Sequence, residues 1–330
     1  MDVVSLAPAH LEPAARLFSE RYREMRGALP MLPARHESPE GALRLIADLA
    51  SRAPGVAALE AGEVRGYMLG LPIPSFFGNQ KGVLSPIWGH AARGGDRAGL
   101  YRAMYASLAA RWVDAGYLNH AITVYADDAE AREAFFWNCF GLQVVDAIRS
   151  LDPVAAAPVS GVEVRRAAVA DAGALVLLFE GLARHIASSP ILFPLFELWT
   201  AERWAEWLSR ESRVLWLALD GDEAIGYIKF EPPTYDVAYV VHDPKTIAIS
   251  GAFVRSEWRR RGVAEAILAR AVEWAREAGY ERMSVDFEAA NQLARGFWLR
   301  NFRPICHSLL RKVDERILWA RPDSPAERLW

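Results

Sequence analysis

Cysteine is almost missing from this 330-residue chain. The two present, Cys139 and Cys306, lie far apart. Neither falls in a metal-ligand spacing, so a disulfide framework and a zinc site are both excluded and no metal is expected. Free thiols suit a reducing compartment. Long apolar runs are missing too: stretches such as Ala174–Phe179 are far too short to cross a bilayer. The opening Met1-Asp2-Val3-Val4-Ser5 lacks the basic stretch and apolar run of a secretory leader. Neither sign of charge dominates, with 38 Lys and Arg against 41 Asp and Glu and a net charge of −3. Broad attraction to nucleic acid or to an anionic membrane is therefore not expected. Together these absences predict a soluble cytoplasmic protein with neither as a partner.

What is present is ordinary globular material. The chain is 52% apolar and 24% charged, enough to offset its ordering entropy. Its length exceeds what one core usually serves, which favours two domains. The sequence also repeats itself. Val3, Ala7, Ala9 and Phe18 match Val164, Ala168, Ala170 and Phe179 at an offset of 161. Ala115-Gly116-Tyr117 matches Ala278-Gly279-Tyr280 at 163, Phe136-Trp137 matches Phe297-Trp298 at 161, and Asp152 falls opposite Asp314 at 162. The order and near-constant offset describe a duplicated unit. Residues 152–161 read DPVAAAPVSG, a linker composition. The predicted division is 1–151, linker 152–161, and 162–330.

In the second unit Val162–Arg166 reads as a strand. Asp171–Ser188 and Ala201–Arg210 read as helices, the latter with Thr200 as N-cap. Val214–Leu219 and Ala224–Phe230 flank the turn Asp220-Gly221-Asp222 as a hairpin. Thr246–Val254 is a strand and Gly262–Ala278 a helix. That helix has an apolar stripe Val263, Ile267, Ala271, Trp274 and Ala278, and Gly279 at its end. Met283–Phe287, Asn291–Arg300 and Pro304–Arg311 complete a strand, a helix and a strand. The pattern predicts a mixed α+β class, one partly antiparallel sheet of about six to seven strands per unit, flanked by helices.

The most informative segment is Val254-Arg255-Ser256-Glu257-Trp258-Arg259-Arg260-Arg261-Gly262-Val263-Ala264. A strand ends, a basic loop follows, and an amphipathic helix begins. The first turn of a helix leaves N–H groups unpaired, and with the helix dipole they form an anion site. Gly262 and the small Ala264 let a phosphate approach the backbone. Cations at a helix N-terminus are unfavourable without an anion, so Arg259, Arg260 and Arg261 point to a phosphate ligand.

This segment resembles the acyl-CoA-binding signature of the GNAT N-acetyltransferases, Arg/Gln-x-x-Gly-x-Gly/Ala, here Arg259-x-x-Gly262-x-Ala264. Asn291-x-x-Ala294-x-x-Phe297-Trp298 resembles the family's Asn-x-x-Ala-x-x-Phe-Tyr helix, followed by Asn301-Phe302 where Gly-Phe is usual. The resemblance covers Val162 to about Asp314. It implies two GNAT-like domains and direct attack of an amine on the thioester of acetyl-CoA, with no covalent enzyme intermediate. It also implies that Arg259, Arg260, Arg261, Gly262, Val263 and Ala264 hold the diphosphate. Ala252, Phe253 and Val254 would offer backbone groups to the pantetheine, Asn291 and Phe297 would border it, and an N–H near Val254 would polarise the carbonyl.

Three departures stand out. Trp298 occupies the place of a tyrosine that can protonate the leaving thiolate. Ser250-Gly251 stands where a catalytic glutamate is common, which leaves Glu288, Asp286, Glu231 and His242 as candidate bases, with Glu288 preferred as nearest the splayed strand ends. In the first unit the turn reads Arg93-Gly94-Gly95-Asp96-Arg97-Ala98. There Asp96 replaces the glycine and Glu130 falls opposite Asn291 at the offset of 161, so residues 1–151 are expected to have lost acyl-CoA binding.

The acceptor is expected to be a small-molecule or peptide amine. Ile191, Leu192, Phe193, Phe196, Trp199, Trp204 and Trp207 crowd the segment that would border it, though packing explains most of them better. His185 and His242 are possible polar contacts. No acidic cluster marks a polyamine or aminoglycoside pocket. The competing readings are a non-catalytic acyl-CoA-binding sensor and a scaffold with both domains degenerate.

Overall fold

A computed structural model describes residues 1–76, 78–194, 197–233 and 239–319. Phe196, among the acceptor-side aromatics above, lies outside the described residues. The chain forms two compact units. Unit 1 comprises Met1–Val145 with the segment from Ile305 onward, and unit 2 comprises Asp146–Pro304. These units do not divide at 152–161. Each repeat ends in a strand that follows its last helix: β8 (Gly141–Ser150) after α4 (Ala129–Phe136), and the strand Arg303–Lys312 after the helix Gln292–Asn301. From Asp146 onward β8 belongs to unit 2, and from Ile305 onward the last strand belongs to unit 1. The reason is apolar burial: Leu309 of that last strand joins the unit 1 core with Ile122, Val124 and Phe135.

Unit 1 opens with β1 (Asp2–Ser5), α1 (Pro8–Ala28) and α2 (Pro39–Arg52). Strands β2 (Gly55–Glu60), β3 (Glu63–Leu69) and β6 (His90–Ala92) join β1 in a four-stranded sheet of order β1-β2-β3-β6. Strands β4 (Leu71–Phe76), β5 (Gln80–Ser85) and β7 (Asn119–Tyr125) form a second run, in which Cys306–Lys312 pairs antiparallel with β7. Unit 1 therefore splits its strands between two sheets. Helix α3 (Arg97–Asp114) buries Leu100, Met104 and Leu108 against them.

Unit 2 runs β9 (Val162–Arg166), α5 (Ala172–Ala187), α6 (Ala201–Leu208), β10 (Val214–Asp220), β11 (Glu223–Glu231), β12 (Thr246–Val254), α7 (Val263–Glu277), β13 (Arg282–Glu288) and α8 (Gln292–Asn301). Its sheet has the order β9-β10-β11-β12-β13, antiparallel until β12 and β13, which run parallel. With the end of β8, the sheet reaches the six strands expected. Thr200 caps α6 as read from sequence. The buried stripe of α7 is broader than read: Val263, Ile267, Leu268, Ala271, Val272 and Ala275, with Ala278 exposed. Steps of four, one, three, one and three make a band wide enough to cover a sheet.

The helix caps correct one detail of the repeat. Asp128 caps α4 and Asn291 caps α8, each accepting the backbone N–H three residues on. Asp128, not Glu130, is thus the partner of Asn291 in the structure. Seven residues after each cap stand Phe135 and Trp298, and both are buried, whereas Trp137 is 70% exposed. The Phe136-Trp137 match to Phe297-Trp298 is therefore one of letters and not of place. Gln292–Asn301 is a longer helix than Ala129–Phe136, and the offset of 163 set at Ala115–Tyr117 carries through the caps.

Asp128 is 3% exposed and accepts hydrogen bonds from Arg21 at 3.1 Å and Arg97 at 3.0 Å. Removing it takes the buried partner from two mostly buried guanidinium groups and leaves them only the more exposed Glu24 and Glu130. Asp128→Ala is expected to destabilise the unit 1 transition in urea by about 3 kcal/mol or more. Loss of the Asp96 cap alone should cost only about 1 kcal/mol. Equal losses for the two variants would contradict the assignment.

Candidate active site

The site begins where two strands stop pairing. Parallel pairing of β12 with β13 runs from Thr246–Arg282 to Ile249–Val285 and then ends. On its other side β12 stays paired with β11 through Ala252–Ile228, Phe253–Tyr227 and Val254–Gly226. Residues 250–254 therefore present one strand edge with no β13 partner. Backbone N–H and C=O groups seek partners, so this edge can receive an extended amide-bearing ligand. Ala252, Phe253 and Val254, the residues read from sequence, all line the cleft beside it.

At the end of that edge the chain turns through Arg259–Gly262 into α7. Gly262 has φ 87° and is the helix N-cap, with no side chain capping the helix. Arg260 is also left-handed, at φ 61°. The first amide of the helix that bonds back is Ala266, to the Gly262 carbonyl at 2.9 Å. The amides of Val263, Ala264 and Glu265 precede it in the uncapped first turn. Alternating left-handed residues before a helix start aim backbone donors into a concavity, an anion nest.

The three arginines differ in placement. Arg259 is half-buried, donates from Nε to the Val254 carbonyl at 3.0 Å, and lies 5.4 Å over the Phe253 ring. Burial lowers the pKa of its guanidinium. Arg259 and Arg260 line the cleft; Arg261 instead stacks 5.1 Å over Trp258 and is not among the lining residues. None of the three pairs with a carboxylate of the described residues within 4 Å. The cleft encloses about 890 Å³, part of it open to solvent, and includes Gly262, Val263, Ala264, Asn291 and Phe297.

Asn291 is buried and its Oδ1 is committed twice, to the Ala294 amide at 3.2 Å and to His185 Nε2 at 3.3 Å. His185 also borders the cleft. Trp298 packs inward between Phe297, at a ring separation of 4.6 Å, and Phe302, at 5.4 Å.

A chamber of about 300 Å³ shares Leu182, Tyr227, Ala252, Asn291, Ala294 and Trp298 with the cleft, so the two spaces meet. Glu288 and Asp286 line this chamber, as does Lys229. Glu231 lies further out. Burial would raise its carboxyl pKa, but Lys229, Ser250, Trp207 and Arg213 together hold it below the usual range. It is thus engaged as an anion. His242 packs on Tyr239 at 5.1 Å and lines neither cleft nor chamber.

Sequence reading missed three residues of the junction. Tyr227 lines both spaces, and its hydroxyl makes no hydrogen bond to a protein group among the described residues. Burial pushes its pKa well above the ordinary tyrosine range, so it stays protonated. Gly251 lies beside it: a Cβ there would sit in ordinary contact, 3.8 Å from the Tyr227 hydroxyl and 3.6 Å from Lys229 Cε. Gly181 leaves room for Phe253, whose ring lies 2.7 Å from where a Cβ would be. Signals existed: Lys229 interrupts an apolar strand, and Gly181 sits inside a helix, where glycine is costly. Trp204 and Trp207 are core residues of unit 2, as the packing reading held.

The matching turn of unit 1 is built differently. Asp96 caps α3 and accepts the Gly99 amide at 2.7 Å, so a carboxylate fills the place of an incoming anion. Arg97 is held by Asp128 and by Glu130 at 2.7 Å. Among the described residues, no cluster of His, Cys, Asp and Glu could hold a metal ion, and no helix is long and apolar enough to cross a membrane.

Residues 183–302 match the model of the Acetyltransferase (GNAT) family. No curated protein matches the sequence. The GCN5-related N-acetyltransferase from Sphaerobacter thermophilus is similar in structure, at a TM-score of 0.54 and 16% identity, over 94% of this chain and 95% of that one. A GCN5-related glucosamine N-acetyltransferase region of a fungal multi-domain GH3 beta-N-acetylglucosaminidase gives a TM-score of 0.50 at 12% identity, over 94% of this chain and 38% of that one. The anion turn and the splayed strand lie within residues 183–302, the part that matches the GNAT family model, and the fold is similar along nearly the whole chain to that of the GCN5-related N-acetyltransferase from Sphaerobacter thermophilus.

Proposed function

We propose that unit 2 transfers an acetyl group from acetyl-CoA to an amine by direct attack. The observation that carries this reading is the continuity of three spaces: the anion turn at 259–265, the open edge 250–254, and the chamber holding Glu288. Amides of the first turn of α7, with Arg259 and Arg260, receive the diphosphate. The edge of β12 holds the pantetheine amides, and an N–H near Val254 polarises the acetyl carbonyl. Glu288 takes the amine proton, directly or through one water. Tyr227 stands in for the tyrosine absent from α8: its unengaged, protonated hydroxyl at the junction supplies a proton to the departing sulfur. Unit 1, with Asp96 and Arg97 already satisfied internally, takes no acyl-CoA. The protein acts in the cytoplasm.

Trp298 favours one alternative, a sensor that binds acyl-CoA without turning it over. Thiol release in the presence of amines decides between the two.

Calorimetric titration is expected to give one acetyl-CoA per chain. Gly262→Asp, which puts a carboxylate into the nest, should weaken binding by about tenfold or more, with thermal stability retained. Unchanged affinity, or a second equivalent that survives the substitution, would overturn the placement. Tyr227→Phe should lower kcat by about a hundredfold and leave acetyl-CoA affinity in place. Glu288→Gln should lower kcat by a similar factor and leave acetyl-CoA affinity in place. A Tyr227→Phe enzyme with full kcat would remove that residue from the chemistry.

A further inference from the structure

The acceptor side of unit 2 is electrically polarised. Its inner chamber, beside Tyr227 and Asn291, holds the carboxyl groups of Asp286 and Glu288. A second, outer space shares Trp199, Lys229, Ser250 and Asp286 with that chamber and adds Arg203, Arg213 and Glu231. Lys229 is only 9% exposed. Its Nζ lies 3.4 Å from Glu231 Oε1, 4.7 Å over the Trp199 ring and 5.2 Å over Trp207. Arg213 Nε lies 3.5 Å from the other oxygen of Glu231, with its guanidinium 5.6 Å over Trp207. Two cations therefore share one carboxylate. Arg203 lies 4.7 Å over Trp199, and its ion-pair partner Glu197 is not among the residues lining either space. Arg210 and Glu206, at the rim, pair with each other at 2.7 Å.

Two consequences follow. Trp199 and Trp207 each already carry two cations of the chain itself, so a cationic acceptor gains little from stacking on them. In the outer space Lys229 and Arg213 share the single carboxylate of Glu231, which leaves this pair of cations one negative charge short, while the inner chamber has carboxylates suited to an amine. Tyr227 faces this field from β11, with Lys229 on its own strand, Asp286 and Glu288 from β13, His185 from α5, and Arg259 beyond β12.

Resting on the acetyl-transfer reading, we propose that the acceptor is a zwitterion of the amino-acid class. Its amine sits at Asp286 and Glu288, and its carboxylate is held by Lys229 and Arg213. The ammonium first gives one proton to solvent; the free amine nitrogen then forms a bond to the acetyl carbon and passes a second proton to Glu288. The carbon–sulfur bond breaks, its electron pair stays on sulfur, and sulfur takes the Tyr227 proton. The tyrosine is reprotonated from Glu288 through solvent, so one acetyl group is exchanged for one hydrogen with no redox change.

The test measures thiol release by the full chain with acetyl-CoA and the common amino acids. Each is matched with its carboxamide and with the amine left by removing its carboxyl group. At least one amino acid should exceed both of its matched compounds in kcat/KM by about tenfold or more, because a site built to pair a carboxylate rejects analogues that leave it unpaired. Lys229→Met should collapse that ratio toward one. Arg213→Gln, at a more exposed position, should reduce it in the same direction. Amides or simple amines that match or exceed the acids, or a ratio unchanged in both variants, would overturn the acceptor class while acetyl transfer stands. Thiol release with none of the compounds, or no binding of acetyl-CoA, would overturn the enzyme reading and the acceptor class together.

Discussion

Parallel pairing between β12 and β13 ends at Ile249 and Val285, and the polar backbone groups beyond it must find other partners. One edge of β12 remains bonded to β11 as far as Val254. The other faces a cleft. Gly181 on α5 lets Phe253 of that strand approach the helix closely. The site is thus a consequence of a sheet whose β12–β13 pairing ends at Ile249 and Val285. The turn into α7 continues it. A left-handed Gly262 carries no capping side chain for the first-turn amides, and Arg259 and Arg260 line the same cleft.

Unit 1 shows the same frame with the opening used internally. Asp96 supplies the carboxylate that caps its helix, and Asp128 and Glu130 engage Arg97. Asp128 and Asn291 perform the same capping bond, but one is a charge paired to two arginines while the other is neutral and shares its oxygen with His185. A single difference in charge at one cap separates an ion-pair network from a cleft lining. The compact units comprise Met1–Val145 with the segment from Ile305 onward, and Asp146–Pro304, whereas the change of composition lies at 152–161.

Much of this was legible in the residues. The anion turn was readable because a strand, a basic loop, a glycine and an amphipathic period occur in a fixed order, and each part has a local physical cause. The helices and strands of unit 2 were readable for the same reason. The exchange of strands was not: β8 and β14 (Arg303–Lys312) look alike in any sheet that accepts them, and only tertiary packing decides which one does. The matching of Phe136-Trp137 to Phe297-Trp298 failed because letters can coincide two residues away from the cap that sets the frame. The contact of Arg261 with Trp258 was not legible, because side-chain direction after a left-handed turn is not encoded in spacing. Tyr227 and Lys229 were hidden in a buried strand; a strand's alternation places both on one face, but what that face meets depends on the splay.

A crystal structure of the full chain with coenzyme A tests the central claim most directly. The account predicts the diphosphate within hydrogen-bond distance of the Val263, Ala264 and Glu265 amides, with the pantetheine along residues 250–254. A nucleotide lodged in unit 1, or a turn at 259–265 with nothing bound beside it, would contradict the account.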